Sequence, residues 1–232
     1  MSQHVPSILT IFDVDGTLLL NRRAVRDIFL QAFREITGAD GNRARPQFAG
    51  MTDRGIFRTM LEEADVSGDF ESLFTSWELR FAELLEATYP THPDPYLLPG
   101  AVELIEALSK RPEVGLALGT GNTRRSCQIK LSRFGLDRYF PVGGYGGDFE
   151  IRSELITEAM NEGRRHYGWQ GEAWVIGDTV KDVAAARAAG AKVIAVRTGI
   201  SGVDQLEDSN PDALLDDLSN INAFLKILSL AP

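Results

Sequence analysis

Two carboxylates, Asp13 and Asp15, follow directly on the apolar run Ile8-Leu-Thr-Ile-Phe12 and lead into Gly16 and Thr17. The run reads as a buried β-strand. Its end therefore delivers two negative charges to the edge of a sheet. Carboxylates withdrawn from water repel one another unless a cation stands between them. A lone Asp-x-Asp reads better as an acidic turn. The strand before it and Gly-Thr-Leu after it turn the reading towards a site.

Three further apolar runs also end on polar or charged residues. One is Leu116-Ala-Leu-Gly-Thr120-Gly121-Asn122, another leads to Asp148-Phe-Glu150-Ile-Arg152, and the third is Val175-Ile-Gly177-Asp178-Thr179-Val-Lys-Asp182. Gathered at one sheet edge, these residues contain the parts that phosphoryl transfer needs. It requires an in-line nucleophile, an acid for the leaving group, and positive charge around the equatorial oxygens. A carboxylate approaching a phosphate dianion is opposed by roughly 4 kcal/mol per pair of unit charges at ~4 Å and an effective dielectric of about 20. Asp13 and Asp178 can share a hard divalent cation that offsets this, and Mg2+ suits one or two carboxylates plus substrate phosphate and water. No His or Cys cluster offers a softer site, since His4, His92 and His166 are scattered. Each residue also has a plainer reading. Thr120 could cap a helix, Asp182 could serve a helix dipole in its first turn, and Arg152 could pair at the surface with Glu150 or Glu154.

These side chains need a scaffold. From about Arg22 to Tyr89 there is almost no strand-like alternation. Helical periodicity covers Ala24 to Ile36, where Gly38 stops it, then Gly55 to Ala64, then Phe70 to Ala87. Pro90, Pro93, Pro95 and Pro99 punctuate the return. From there helices and strands alternate. Strands are predicted at Val114 to Gly119, Phe140 to Gly144, Ala173 to Ile176, Lys192 to Val196 and Ala213 to Leu215, with Asn122 capping the helix that runs to Phe134. Helices are predicted at Pro99 to Lys110, Ser153 to Tyr167, Lys181 to Ala189 and Ser219 to Leu228. The pattern predicts an α/β fold, a doubly wound parallel sheet with a helical insertion. Residues 1-20 and 91-232 form the core and 21-90 the insert. Ligands of such sheets lie beyond the carboxyl ends of the strands, which is where the acids fall.

Asp13-Val-Asp15-Gly-Thr17-Leu resembles the first motif of the haloacid dehalogenase-like (HAD) superfamily, and nearly the whole chain follows the phosphoglycolate-phosphatase-like pattern with a helical cap. The resemblance implies that Asp13 attacks phosphorus and that Asp15 protonates the leaving group and later activates water. Thr120 looks like the second motif, whose hydroxyl binds the transferring phosphoryl group, with Gly121 and Asn122 beside it as substrate-binding residues. Gly177-Asp178-Thr179-x-x-Asp182 looks like the fourth. There Asp178 and Asp13 would ligate Mg2+ through their side chains and Asp15 through its backbone carbonyl, with Asp182 supporting the metal waters or the basic residue. The third motif departs from the family. No Lys lies between Lys130 and Lys181, and Arg152 stands near the position of the usual Lys, as in a subset of members. Arg is not interchangeable with Lys. Gly50-Met-Thr52-Asp53-Arg54 looks like a cap loop facing the site, where Arg54 could hold a substrate carboxylate or second phosphate, with Arg43 and Arg45 as further candidates.

Composition limits the partners. Twenty-four Lys and Arg against 33 Asp and Glu give a net charge of −9 in 232 residues. That balance opposes a nucleic-acid backbone or an anionic membrane as partner. The lone Cys127 excludes an intrachain disulfide and suits a reducing cytoplasm. The N-terminus shows no signal-peptide pattern, and no apolar run spans a bilayer. The expectation is a cytoplasmic, Mg2+-dependent phosphatase acting on a small phosphorylated metabolite, as monomer or homodimer. A sugar-phosphate mutase on the same scaffold is the alternative, and a non-catalytic phospho-ligand sensor a more distant one. A dehalogenase is disfavoured, because those members lack a proton donor at the place of Asp15.

Overall fold

The computed structural model of the protein describes residues 5–21, 23–40, 50–199 and 203–231. Strand β1 (Ile8–Phe12) is followed by a two-residue strand, β2 (Leu19–Leu20), and three helices, α1 (Ala24–Thr37), α2 (Asp53–Glu63) and α3 (Phe70–Thr88). A second short strand, β3 (Tyr96–Leu97), leads to α4 (Ala101–Ser109), β4 (Val114–Thr120), α5 (Arg124–Ser132), β5 (Val142–Tyr145), α6 (Arg152–Tyr167), β6 (Glu172–Gly177) and α7 (Val180–Ala188). Strand β7 (Lys192–Val196), α8 (Val203–Asp208), β8 (Ala213–Leu215) and α9 (Ile221–Ile227) complete the described chain.

Six strands pair in the order β5-β4-β1-β6-β7-β8, all parallel. The chain winds outward from β1 to one side through β4 and β5, then crosses to the other side for β6, β7 and β8. Every residue of β1 is buried, as expected of a strand covered on both faces. Ile8 and Phe12 enter one hydrophobic layer with Leu104, Leu118 and Phe224, while Leu9 and Ile11 enter the opposite layer with Ile156, Val175 and Val193. Phe12 lies level with Leu118 on one neighbour and Ile176 on the other. The residues just beyond these three strands therefore meet at the winding reversal, where a crevice opens.

The three helices between β2 and β3 have their own core. Phe29, Phe33, Phe57, Phe74, Trp77 and Phe81 pack there at least 97% buried, with Trp77 at 4.4 Å from Phe29 and 5.0 Å from Phe81 between ring centroids. Burying each such ring stabilises by roughly 1.5–3 kcal/mol. The strands β2 and β3 pair antiparallel, Leu19 with Leu97 and Leu20 with Tyr96, and so clasp the two ends of the helical unit together. This ladder is too short to show in sequence periodicity.

Two local expectations shift. The strand expected at Phe140 to Gly144 is β5, two residues into the expected span and one beyond its end. A Cβ on its Gly144 would fall 1.8 Å from the Leu155 carbonyl oxygen, so the glycine lets α6 approach the sheet. The cap of α5 is Thr123, not Asn122, because the Thr123 hydroxyl takes the Ser126 N–H at 3.3 Å. The side chain of Asn122 is used elsewhere.

Candidate active site

Asp13, the first residue beyond β1, is 5% exposed and donates its backbone N–H to Ile176 at 2.8 Å. Asp178 follows β6, and Asp182 lies in the first turn of α7. One oxygen from each of these three carboxylates lies within 4.8 Å of the others, all three buried. The Asp178 side chain fills a slot made by glycine. A Cβ on Gly16 would stand 2.4 Å from its Oδ2, and one on Gly199 only 1.6 Å.

The cation opposite these acids is Arg152, the first residue of α6. Its Nε donates to Asp182 Oδ1 at 2.9 Å, and its Nη2 lies 2.6 Å from the same oxygen and 3.0 Å from Asp13 Oδ1. The N–H directions of Nη2 meet neither oxygen squarely, which leaves a buried donor over beside Asp13. Asp182 Oδ2 accepts the Thr179 N–H at 3.0 Å in a capping box that closes the start of α7. Asp182 thus spends one oxygen on its helix and the other on Arg152. Glu150, the surface partner weighed for Arg152, pairs with Arg58 instead.

Charge in this corner is unbalanced. Burial pushes the Asp13 carboxyl well above the ordinary range, with Asp182 and Asp15 adding to the rise and Arg152 opposing it. Asp178 is raised by burial, then by Asp182 and Asp13. Burial works against the Arg152 charge, yet Asp13 and Asp182 more than restore it. With Asp182 occupied, Asp13 and Asp178 remain as an oxygen-only donor pair of the kind hard divalent cations take.

Thr120 ends β4 fully buried, and its hydroxyl accepts from Asn122 Nδ2 at 2.7 Å. Thr120 also lines the cavity between the acids and the helical unit. Gly121 carries no side chain for good reason, since a Cβ there would meet the Met51 carbonyl oxygen at 2.2 Å. Asn122 reaches Asp15 Oδ2 at 2.7 Å through the same Nδ2. Asp13, Asp15, Thr120, Gly121, Asn122, Arg152 and Asp178 line one cavity of about 480 Å³. Its far wall comes from the helical unit and includes Val25, Arg26, Phe29, Met51 and Ile56.

The segment from Gly50 to Arg54 docks onto the core loops. Asp53 N–H donates to the Gly121 carbonyl at 2.7 Å, and Arg54 N–H to the Gly146 carbonyl at 3.0 Å. The Arg54 side chain is turned away from the acids. It pairs with Glu71, approaches Glu150 at 3.8 Å and lies over the Phe70 and Phe74 rings at 4.9 and 5.0 Å. It is not among the cavity-lining residues, so the expected substrate contact of Arg54 is replaced by a structural one. Arg43 and Arg45 lie outside the described residues.

Sequence reasoning missed Lys130, Asn21, Tyr89 and Asp53. Asn21 and Lys130 both hold Asp15, and Tyr89 donates to Asn21. The signal for Lys130 was present: it interrupts the inward stripe Cys127, Leu131 of α5 with a charge. Asp53, at the start of α2, accepts the Thr123 N–H at 2.8 Å across the seam. Burial pushes its carboxyl up to about 6, against the pull of Lys130 and of the Thr123 N–H. A raised folded-state value favours the folded state below about pH 4, and that contribution is lost as pH rises through about 6. Asp53→Asn keeps the acceptor and cannot ionise. The stability of this variant relative to wild type should therefore climb between pH 4 and 7, by at most about 3 kcal/mol. Urea unfolding at several pH values measures it, and a difference independent of pH would contradict the assignment.

A family model described as haloacid dehalogenase-like hydrolase matches residues 10–196. The chain belongs to this family. A phosphoglycolate phosphatase of Agrobacterium fabrum is 28% identical over 97% of this chain and 95% of its own length. Phosphoglycolate phosphatase 1 of Pseudomonas aeruginosa is 29% identical over 92% and 78%. Among solved structures, CbbY from Rhodobacter sphaeroides in complex with phosphate superposes with a TM-score of 0.68 at 21% identity, covering 93% of this chain and 96% of that one. The protein is a haloacid dehalogenase-like hydrolase, similar along nearly its whole length to these phosphoglycolate phosphatases. Among the described residues, no helix is long and apolar enough to cross a membrane.

Proposed function

We propose that the protein is a Mg2+-dependent phosphatase that hydrolyses a small phosphomonoester through an aspartyl-phosphate on Asp13. The observation that carries this reading is the leftover Arg152 donor beside a buried Asp13, on the floor of a cavity that also holds Thr120 and Asp178. Arg152 and the Thr120 hydroxyl receive the equatorial phosphoryl oxygens. An oxygen of Asp13 forms a bond to phosphorus as the ester P–O bond breaks, and Asp15 gives its proton to the departing oxygen. In the second half, Asp15 takes a proton from a water that attacks the phosphorus, releasing phosphate and restoring the Asp13 carboxylate. A Mg2+ held by the carboxylates of Asp13 and Asp178, with the Asp15 carbonyl, would offset the repulsion between carboxylate and phosphate. The helical unit, residues 21-90, serves as the cap that keeps bulk water from the first transfer.

Several relatives are named phosphoglycolate phosphatases, which supports a small, phosphorylated hydroxy acid or similar metabolite as substrate. The test is phosphate release from a panel of aryl and alkyl phosphates, with Mg2+ and with chelator. At least one small ester should be turned over, and chelation should lower the rate by at least about a hundredfold. Turnover undiminished by chelator would remove Mg2+ from the proposal. Transfer of phosphate between positions of a sugar bisphosphate, without net release, would favour the mutase.

A further inference from the structure

Helix α5 turns Ser126, Cys127, Lys130 and Leu131 inward. Lys130 is the misfit on that face, 2% exposed. An ammonium so far from water costs several kcal/mol unless it is paired and hydrogen-bonded. Its Nζ is paired with Asp15 Oδ2 at 2.7 Å and donates to Asn122 Oδ1 at 2.5 Å. Asp15 itself is not sealed in: 39% of its side-chain surface stays open. The pair therefore sits at the wall of the catalytic cavity, not in the core, and both residues line that cavity.

The acceptor sites of Asp15 can be counted. A carboxylate oxygen offers two lone-pair directions. On Oδ2 both are taken, one by Asn122 Nδ2 and one by Lys130 Nζ. On Oδ1 one is taken, by Asn21 Nδ2. Among the described residues nothing takes the other direction of Oδ1, which leaves it for a proton to pass. Asn21 and Asn122 hold one oxygen each, so Asn122 alone would fix Oδ2 by a single bond. Lys130 adds a second bond to Oδ2, the third anchor of the carboxyl, and it clamps Asn122 from the other end.

We propose that Lys130 is a positioning residue for phosphoryl transfer, holding the Asp15 carboxyl so that its remaining Oδ1 direction faces the leaving-group oxygen. The inference rests on the proposed role of Asp15. It assigns a function to a lysine on a helix remote in sequence from the Lys of the usual third motif, the position where this chain carries Arg152.

A displaced acid matters most when the leaving group needs a proton. The parameter kcat/KM reports steps up to formation of the aspartyl-phosphate, so it isolates the half-reaction in which the leaving group departs. Lys130→Met should lower kcat/KM at least about tenfold for the alkyl phosphate turned over fastest in the panel. For p-nitrophenyl phosphate, whose leaving group needs little protonation, the loss should stay within about threefold. In an Asp15→Asn background, which should itself show the same ester-dependent loss, Lys130→Met should cost nothing further. Lys130→Gln keeps a donor without the charge, and it replaces the Met variant where that variant lacks a cooperative melt.

Equal losses on both esters would overturn the proposal, as would a full further loss in the Asp15→Asn background. Failure of both variants to fold in either background would make Lys130 structural and overturn it too. An Asp15→Asn enzyme that treats the two esters alike would instead remove the role assigned to Asp15, and the inference with it.

Discussion

Asp13→Asn should lower kcat by at least about a thousandfold without unfolding the protein. The amide has the size of the carboxylate and keeps a carbonyl oxygen 3.0 Å from Arg152 in the same rotamer. It cannot attack phosphorus, so the two-step route closes and only slow direct attack by water remains. Stability should move the other way. Burial and the neighbouring Asp182 and Asp15 already disfavour the Asp13 charge, so a neutral side chain relieves three-way crowding with Asp178 and Asp182. The melting temperature should hold or rise. Rapid acid quench of a single turnover should trap phosphoryl label on the wild-type chain and none on the variant. Comparable label on both chains would show that another residue carries the phosphoryl group.

The strand ends were legible because each obeys a local rule. A short, mostly apolar and β-branched run such as Ile8 to Phe12 reads as a strand buried on both faces, and the polar residue after it then stands at the sheet edge. That reasoning put Asp13, Thr120 and Asp178 at strand ends along one sheet edge; that their strands β1, β4 and β6 are neighbours is seen only in the structure. Arg152 was legible as a candidate, but its pairing with Asp182 came only as one of two roles the family resemblance implied, and its pairing with Asp13 not at all. Glu150 and Glu154 are its neighbours in sequence, while Asp13 and Asp182 reach it only through the β1 and β6 ends. Arg54 erred in the opposite sense, since its place in the cap loop says nothing of the Phe70 and Phe74 rings that take its guanidinium. Lys130 and Asn21 could not be read as a pair around Asp15. One lies 115 residues along the chain and the other six, and only the folded seam between helical unit and core joins them. Residues that act through a long-range partner leave no spacing to detect.

Arg152→Met should be the most damaging single change for stability, because it strips the shared partner from two buried carboxylates. Asp182 is 1% exposed and Asp13 5%, and removing one member of such a buried network typically costs about 3–5 kcal/mol. The loss should depend on pH with a definite sign. Without the guanidinium, the folded-state value of Asp13 moves further above its unfolded value. The folded variant then binds protons that the unfolded chain does not, so stability is recovered towards acid pH and lost as pH rises. Activity should fall by at least about a hundredfold, since the phosphoryl oxygens lose their fixed cation. Arg152→Lys separates the two roles. An ammonium can neutralise Asp182 and recover much of the stability. It cannot, however, span Asp182 and Asp13 with a planar fork and still present a leftover N–H beside the nucleophile. Stability should therefore return further than kcat. Urea unfolding at pH 5 and 8 and steady-state kinetics on the same preparations would measure both, and a Lys variant in which the two recover in parallel would reduce Arg152 to a structural ion pair.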